Sequence, residues 1–288
     1  MRLFSLLYIF SSVLFASCAS SHFESGEWRN TPVVADGNLN EWELPLRFFD
    51  LKTKLNYTIS NDNKNLYFCI RSTEATEIAK MVRAGIFIYI DTTGKRKKDI
   101  GINYPLRLES SGNKKPEGQS DMPHQRSEGG FLKRMSTTLA GESQFSAIGF
   151  RSPVGGLMPL ANTAGIKLSA TIDSLGCFSY EAVIPFKTFY KETLTASDST
   201  HIFGITINLP ALPMPPSSGG GGSGHRGGGM GGMGGGGMTG GGMGGGMHGG
   251  GGGYRGGGGN YGGGGSGVMY ENNMIRVRIQ LLVKKEKQ

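Results

Sequence analysis

The sequence predicts an all-β fold: an antiparallel β-sandwich with one short helix and a long, disordered glycine-rich loop inserted before the last strand. Many short runs alternate apolar and polar residues, with turn residues between them, as half-buried strands do. Helical periodicity occurs only weakly, over residues 73–83. Most of the 50 glycines lie in one block between two strand-like runs. This composition predicts a single sandwich with a loop insertion.

The first 17 residues have the pattern of a signal peptide. Arg2 is followed by an apolar run over residues 3–15, which is too short for a membrane anchor. The order Phe15-Ala16-Ser17-Cys18 resembles the bacterial lipobox, although Leu is commoner than Phe at its first position. The resemblance implies cleavage before Cys18 and lipidation of its thiol. We therefore expect an exported protein, anchored by lipid at a bacterial outer membrane or cell surface. An ordinary cleaved signal is the alternative.

The mature chain divides into four predicted segments. A lipidated tether covers residues 18–30, the β-sandwich domain covers 31–216, a disordered Gly/Met-rich loop covers 217–267, and the final strand with a basic tail covers 268–288. The loop cannot bury enough apolar surface to offset its ordering entropy. Because the entropic cost of loop closure grows only logarithmically with length, the sandwich tolerates the insertion.

Within the domain, the strand-like runs follow one another closely. Residues 54–60 and 66–71 form a predicted hairpin, and residues 85–91 form a central strand that is apolar on both faces. Residues 107–143 are polar and predict a long surface excursion with little structure. The remaining predicted strands cover residues 99–104, 145–150, 166–172, 178–184, 202–209 and 274–283.

Several classes of function are not favoured by the sequence. The chain has no Gly-x-Ser-x-Gly elbow, and its five histidines lie in unlike contexts, so we expect no enzyme. Two Arg-Gly segments resemble those of RNA-binding proteins, but they follow an export signal, so we expect no nucleic-acid partner. The formal charge is +8, and the basic turn Lys95–Lys98 is either solvated charge or an attraction for acidic glycans or anionic lipid headgroups. Cys69 and Cys177 are either buried free thiols or a disulfide.

Three motifs occur in the order and spacing of a known family. They are Asp36-Gly37-x-Leu39-x-Glu41-Trp42, then Ser60-Asn61-Asp62-x-x-Asn65-Leu66-Tyr67, then Ile88-x-Ile90-Asp91 followed by Gly94. These motifs resemble the type-9 carbohydrate-binding-module-like domains, which belong to the DOMON-like β-sandwiches. The resemblance covers roughly residues 31–209 and the last strand. It implies a non-catalytic, carbohydrate-binding module of the cell envelope whose partner is a glycan or another envelope component.

The resemblance also suggests candidate site residues. Sugar-binding members hold a sugar between aromatic rings, but Trp42 belongs to the first motif and Trp28 lies in the predicted tether. Tyr89 and Tyr104 are the remaining candidate platforms, with packing as the alternative for each.

The carboxylates of the motifs have two interpretations. Asp36, Glu41 and Asp91 either stabilise turns and a strand end, with no cofactor, or hold a calcium ion through their hard oxygen ligands. Two further functions stay open: a structural or assembly lipoprotein without sugar binding, and a haem-binding DOMON-like domain with Met81 as an axial ligand.

Overall fold

The computed structural model describes residues 24–106, 128–214 and 266–284. Thirteen strands lie in this part of the chain: β1 Glu24–Ser25, β2 Glu27–Trp28, β3 Phe48–Asp50, β4 Leu55–Asn61, β5 Asn65–Ser72, β6 Ile86–Asp91, β7 Ile100–Tyr104, β8 Gln144–Ile148, β9 Gly156–Pro159, β10 Lys167–Ile172, β11 Phe178–Pro185, β12 Ile202–Leu209 and β13 Asn273–Gln280. The helices are α1 Ala75–Ala84, α2 Glu128–Ala140 and the short α3 Ser266–Met269. None of the helices described is long and apolar enough to cross a membrane.

The strands form two packed sheets, which confirms the predicted sandwich. One sheet has seven strands in the order β1-β13-β12-β6-β7-β8-β9. The other has six, in the order β10-β11-β5-β4-β2, with β3 also paired to β4. All neighbours are antiparallel except β1 with β13 and β2 with β4. The predicted final strand is present as β13, and it pairs with β12 over its whole length. The glycine-rich loop and the signal peptide lie outside the described residues.

The predicted tether is wrong for its last residues. Residues 24–28 cross from one sheet to the other, pairing first with β13 and then with β4. Gly26 makes the crossing possible because a Cβ there would lie 2.7 Å from the carbonyl oxygen of Gln280. Two strands of two residues each are too short to show an alternating pattern, so no periodicity in the sequence indicates them.

The prediction that residues 107–143 lack structure is wrong for the part that the structure describes. Helix α2 begins at Glu128, and its Met135 and Leu139 are buried against the main core, with Phe131 packed beside them. These three residues follow the spacing i, i+4, i+8 that places side chains on one helix face. That spacing was available in the sequence but was diluted by neighbouring Gly, Ser and Thr residues.

The main core lies between the sheets, and every second residue of a strand points into it. In β6, Ile86, Ile88 and Ile90 point inward and are fully buried, while Phe87 and Tyr89 point outward and are half-buried. Helix α1, predicted over residues 73–83, closes one side of this core with its buried apolar face. Cys69 and Cys177 are both buried and unpaired.

The outer face of the six-stranded sheet carries a second, smaller core. Trp42 packs there against Tyr67, Cys69 and Val183. Beneath the indole lies the fully buried carboxylate of Glu181, which accepts a 2.7 Å hydrogen bond from Trp42 Nε1 and another 2.7 Å hydrogen bond from a backbone N–H. That N–H belongs to Gly37, near the start of the Asp36–Trp42 turn. One carboxylate therefore holds both ends of the turn segment.

Gly37 donates this second hydrogen bond, and any other residue type is disfavoured at its position. Its φ is +89°, and a Cβ would lie 2.4 Å from Thr171 Cγ2. The Arg29 guanidinium lies over the face of the indole, 4.1 Å from the Trp42 ring centroid. Trp42 therefore contacts a cation through its ring face and the buried Glu181 carboxylate through Nε1–H.

We expect the substitution Trp42→Phe to lower the free energy of unfolding by about 2–4 kcal/mol, because it leaves the buried Glu181 carboxylate short of a donor and opens a void. The matched control is Trp28→Phe, whose Nε1 hydrogen bond to Asn30 is exposed, with an expected loss below about 1 kcal/mol. Urea denaturation followed by circular dichroism measures both losses. Equal losses in the two variants would contradict the role given to the Trp42–Glu181 hydrogen bond.

Candidate functional site

The outer face of the seven-stranded sheet carries a pair of aromatic side chains. Phe87 and Tyr89 project from β6, the central strand of that sheet. Their ring planes are 13° apart and their centroids are 5.9 Å apart. Both residues are half-buried, and burial raises the pKa of Tyr89. The pair forms a rigid aromatic surface in the middle of the face.

The Tyr89 ring lies over a glycine of the neighbouring strand. Gly101 is the cross-strand partner of Tyr89, and a Cβ at Gly101 would lie 2.6 Å from Tyr89 Cδ1. The missing side chain at position 101 therefore provides the space that the ring occupies. Any larger residue there would push the ring away from the sheet.

Polar side chains flank the rings on the adjacent strands. Asn208 and Asn103 are the cross-strand neighbours of Phe87, and Thr206 is a neighbour of Tyr89. The side-chain oxygens of all three are buried and accept or donate no hydrogen bond among the described residues. Buried polar groups are usually paired, so these oxygens represent unused hydrogen-bonding capacity beside the rings.

Exposed apolar side chains extend the face on both sides of the rings. Met274 lies opposite Asn208, Ile148 lies opposite Gly101, and Leu157 follows on the edge strand β9. Because neighbouring strands are about 4.8 Å apart, the row from β13 to β9 spans about 24 Å. The face is thus a long, shallow surface with an aromatic centre.

A basic turn borders the same face. Asp91, at the end of β6, accepts hydrogen bonds from Thr93 N at 2.8 Å, Thr93 Oγ1 at 2.7 Å and Lys97 N at 2.9 Å. Burial raises the pKa of the Asp91 carboxyl, but these hydrogen bonds outweigh it and hold the pKa below its ordinary value. The fixed turn places Lys98 Nζ 5.3 Å from the Tyr89 ring centroid.

The two tyrosines suggested by the sequence lie in different places. Tyr89 lies on the open face. Tyr104 is buried inside the sandwich, where its ring packs at 6.2 Å from that of Tyr180 and burial raises its pKa to about 12. The candidate role of Tyr104 as a ligand platform is therefore wrong, because no ligand reaches its ring.

The three suggested calcium ligands are not brought together. Asp36 and Glu41 lie on the six-stranded sheet, near Glu181, whereas Asp91 ends a strand of the other sheet. In the described part of the chain, no group of three or more His, Cys, Asp or Glu side chains is arranged to hold a metal ion. The Asp91 oxygens already accept hydrogen bonds from their own turn. Nothing in this geometry favours calcium over a structural role.

The sequence also suggested Met81 and Cys18 as functional residues. Met81, the candidate haem ligand, is fully buried in the main core. Cys18 lies outside the described residues, so its lipidation stays a prediction.

Two open grooves lie elsewhere, on either side of the Trp28 indole. One, of about 290 Å³, is lined by Glu27, Arg29 and Glu41 among others, and the second, of about 340 Å³, is lined mainly by residues 281–284. The sequence placed Trp28 in a tether and gave no indication of either groove. Arg29 is already held by Glu27 at 3.8 Å, by Ser60 and by the Trp42 ring, which favours a structural role for the first groove.

Comparisons of the chain with protein-family models, with curated protein sequences and with solved structures find no match. The resemblance to type-9 carbohydrate-binding-module-like domains stays a prediction, and the function is inferred from the geometry of the site.

We expect Asp91→Asn to lower the free energy of unfolding by about 1–3 kcal/mol at neutral pH, because the amide nitrogen cannot accept a hydrogen bond from the turn. Since the pKa of Asp91 is lowered in the folded state, its stabilisation is present above the ordinary Asp pKa of about 3.9 and is lost as the pH falls through the folded value. The difference between wild type and variant should therefore shrink in acid. Urea denaturation at about pH 7 and about pH 3 measures it.

The control for this prediction is Asp99→Asn, which changes an exposed carboxyl beside the same turn and should alter stability by less than about 0.5 kcal/mol. A difference between Asp91→Asn and wild type that stays constant across the pH range would show that the carboxylate charge does not stabilise the turn.

Proposed function

We propose that this protein is a non-catalytic module that binds a glycan on the outer face of its seven-stranded sheet. The observation that carries the proposal is the aromatic pair Phe87 and Tyr89, flanked on the neighbouring strands by polar side chains with unused hydrogen-bonding capacity. The resemblance of the sequence motifs to carbohydrate-binding-module-like domains agrees with it.

The chemistry of a sugar matches this arrangement. A pyranose ring presents apolar C–H groups on its faces and hydroxyls around its edge. The C–H faces pack on aromatic rings such as that of Tyr89, and the hydroxyls pair with exposed polar side chains of the same face, such as Arg276. Lys98, which lies over the Tyr89 ring, is long and exposed, so a ligand can displace it.

The shape of the face favours a chain of sugars over a single one. Small ligands are usually enclosed in concave pockets, whereas this surface is shallow and about 24 Å long. The apolar residues Met274, Ile148 and Leu157 extend it beyond the central rings. A polysaccharide segment makes contact along such a row, and a monosaccharide does not.

The lipidated N-terminus is the second part of the proposal, and it places the module on the cell envelope. Five residues, from Ala19 to Phe23, separate the lipidated cysteine from the first strand at Glu24. Fully extended, they reach about 20 Å. The module is thus held close to its membrane, with a shorter tether than the sequence suggested.

A structural or assembly role is the second candidate, and one observation favours it. Met274, Ile148 and Leu157 are 37%, 45% and 60% exposed, and exposed apolar side chains on one face also suit a protein partner. The two candidates differ in the ligand that the same face retains.

We expect Phe87→Ala and Tyr89→Ala each to weaken polysaccharide binding by about tenfold or more, because each removes one ring of the platform. Affinity electrophoresis against a panel of soluble polysaccharides, followed by calorimetry on any that bind, measures the loss. The matched control is Phe49→Ala, which removes an aromatic ring that is 52% exposed on the other sheet.

Unchanged binding in the Phe87→Ala/Tyr89→Ala double variant, or an equal loss in Phe49→Ala, would contradict this site. If the wild type binds no polysaccharide but co-purifies with an envelope protein through the same face, the assembly role replaces the glycan-binding role.

We expect Cys18→Ala to abolish incorporation of labelled palmitate and to release the protein from the membrane fraction, since the thiol carries the acyl chain. Cys177→Ala, which removes a buried thiol, should keep both the label and the membrane association. Label retained in Cys18→Ala would argue against the anchor without bearing on the glycan site.

A further inference from the structure

Two cationic side chains beside the aromatic pair share one weak acceptor. Lys98 Nζ lies 3.2 Å from Met274 Sδ, and Arg276 Nη2 lies 3.4 Å from the same sulfur. A thioether is a weak hydrogen-bond acceptor and carries no charge. The sulfur therefore leaves the mutual repulsion of the two cations uncompensated.

Neither cation has a carboxylate partner within the described ranges. The ion pairs there are formed by Arg29 with Glu27, by Lys52 with Glu271 and by Lys191 with Asp198. On the same face as Arg276, the buried Nε of Arg278 also has no hydrogen-bond acceptor among the described residues. A face on which exposed cationic groups outnumber the carboxylates is suited to an anion.

The chain places further positive charge at this point. The basic turn of residues 95–98 crosses β12 at Gly204, where a Cβ would lie 2.8 Å from Arg96 N. The carboxylate at the base of the turn, Asp91, is buried and accepts hydrogen bonds from Thr93 and Lys97. Asp99 is exposed at the end of the turn and offsets one of its four positive charges.

We infer that the ligand of this face is an acidic polysaccharide, whose carboxylate or sulfate groups lie between Lys98 and Arg276 while its sugar rings pack on Phe87 and Tyr89. The inference rests on the proposed glycan-binding function and specifies its ligand class. An arginine pairs with a carboxylate or sulfate through two parallel hydrogen bonds, and the neighbouring lysine adds a point charge. The thioether of Met274 then contacts the apolar part of the ligand.

The test compares two forms of one polymer. Polygalacturonate and its fully methyl-esterified form share a backbone and differ in charge, and the full chain is assayed with both by affinity electrophoresis and calorimetry. We expect at least about tenfold tighter binding of the acidic form, weakening as the NaCl concentration rises from about 50 mM to about 500 mM. Dextran sulfate, with dextran as its neutral form, repeats the comparison for sulfate groups.

Three charge variants locate the effect on the protein. Lys98→Met and Arg276→Met should each weaken binding of the acidic polymer by about threefold to tenfold, because each removes a cation that has no carboxylate partner in the described part of the chain. The matched control Lys167→Met removes an exposed lysine from the other sheet and should leave binding unchanged. These side chains are exposed, and circular dichroism verifies that the variants fold.

The outcomes separate the inference from the proposed function. Equal binding of the charged and esterified polymers, abolished by Tyr89→Ala, would overturn the acidic ligand and leave glycan binding intact. If Lys167→Met loses as much affinity as Arg276→Met, binding of the acidic polymer depends on the net charge of the protein, and the proposed site is wrong. Binding of phosphatidylglycerol vesicles through Lys98 and Arg276, with no binding of any polysaccharide in the panel, would overturn both proposals in favour of a lipid headgroup.

Discussion

The buried carboxylate of Glu181 determines which outer face of the sandwich is closed. A carboxylate in the middle of a sheet is unfavourable unless its oxygens accept hydrogen bonds. Trp42 Nε1 and Gly37 N supply them, so the turn segment that carries both residues has to lie on this face. Burial raises the pKa of Glu181, and the two hydrogen bonds offset that effect only in part. The ionised form is therefore held at a cost in folding free energy, which the apolar packing around Trp42 offsets.

The other outer face has no such cover among the described residues, and its composition reflects this. A sheet face that remains open usually carries polar side chains, but here the central strand presents Phe87 and Tyr89. Gly101 leaves the space in which the Tyr89 ring lies. A glycine inside a strand weakens the sheet, and its presence beneath the half-buried Tyr89 ring lets that ring lie against the sheet. This arrangement agrees with the proposed contact with a ligand.

The sequence predicted the sandwich, helix α1 and the presence of the last strand because these depend on local periodicity. The site was predicted only in part, because it depends on strand register. Tyr89 and Tyr104 occupy similar strand-like runs, but Tyr104 pairs with the inward-facing Ile86 and Tyr89 pairs with Gly101. Residue spacing within one strand cannot supply that register. The contact of Lys98 with Met274 joins residues that are 176 positions apart, which no local pattern reveals.

The N-terminal strands link the proposed anchor to the proposed site. Because β1 is the edge strand of the seven-stranded sheet and β6 lies three strands further in, the aromatic pair lies about 14 Å from the edge at which the chain enters. In the proposed anchored form, the five residues between Cys18 and Glu24 are too few to let the domain move far from its lipid. A glycan that reaches Tyr89 in that form has to lie close to the membrane surface. Anionic lipid headgroups would then repel an acidic polymer, and unpaired cations such as Lys98 and Arg276 would counter that repulsion.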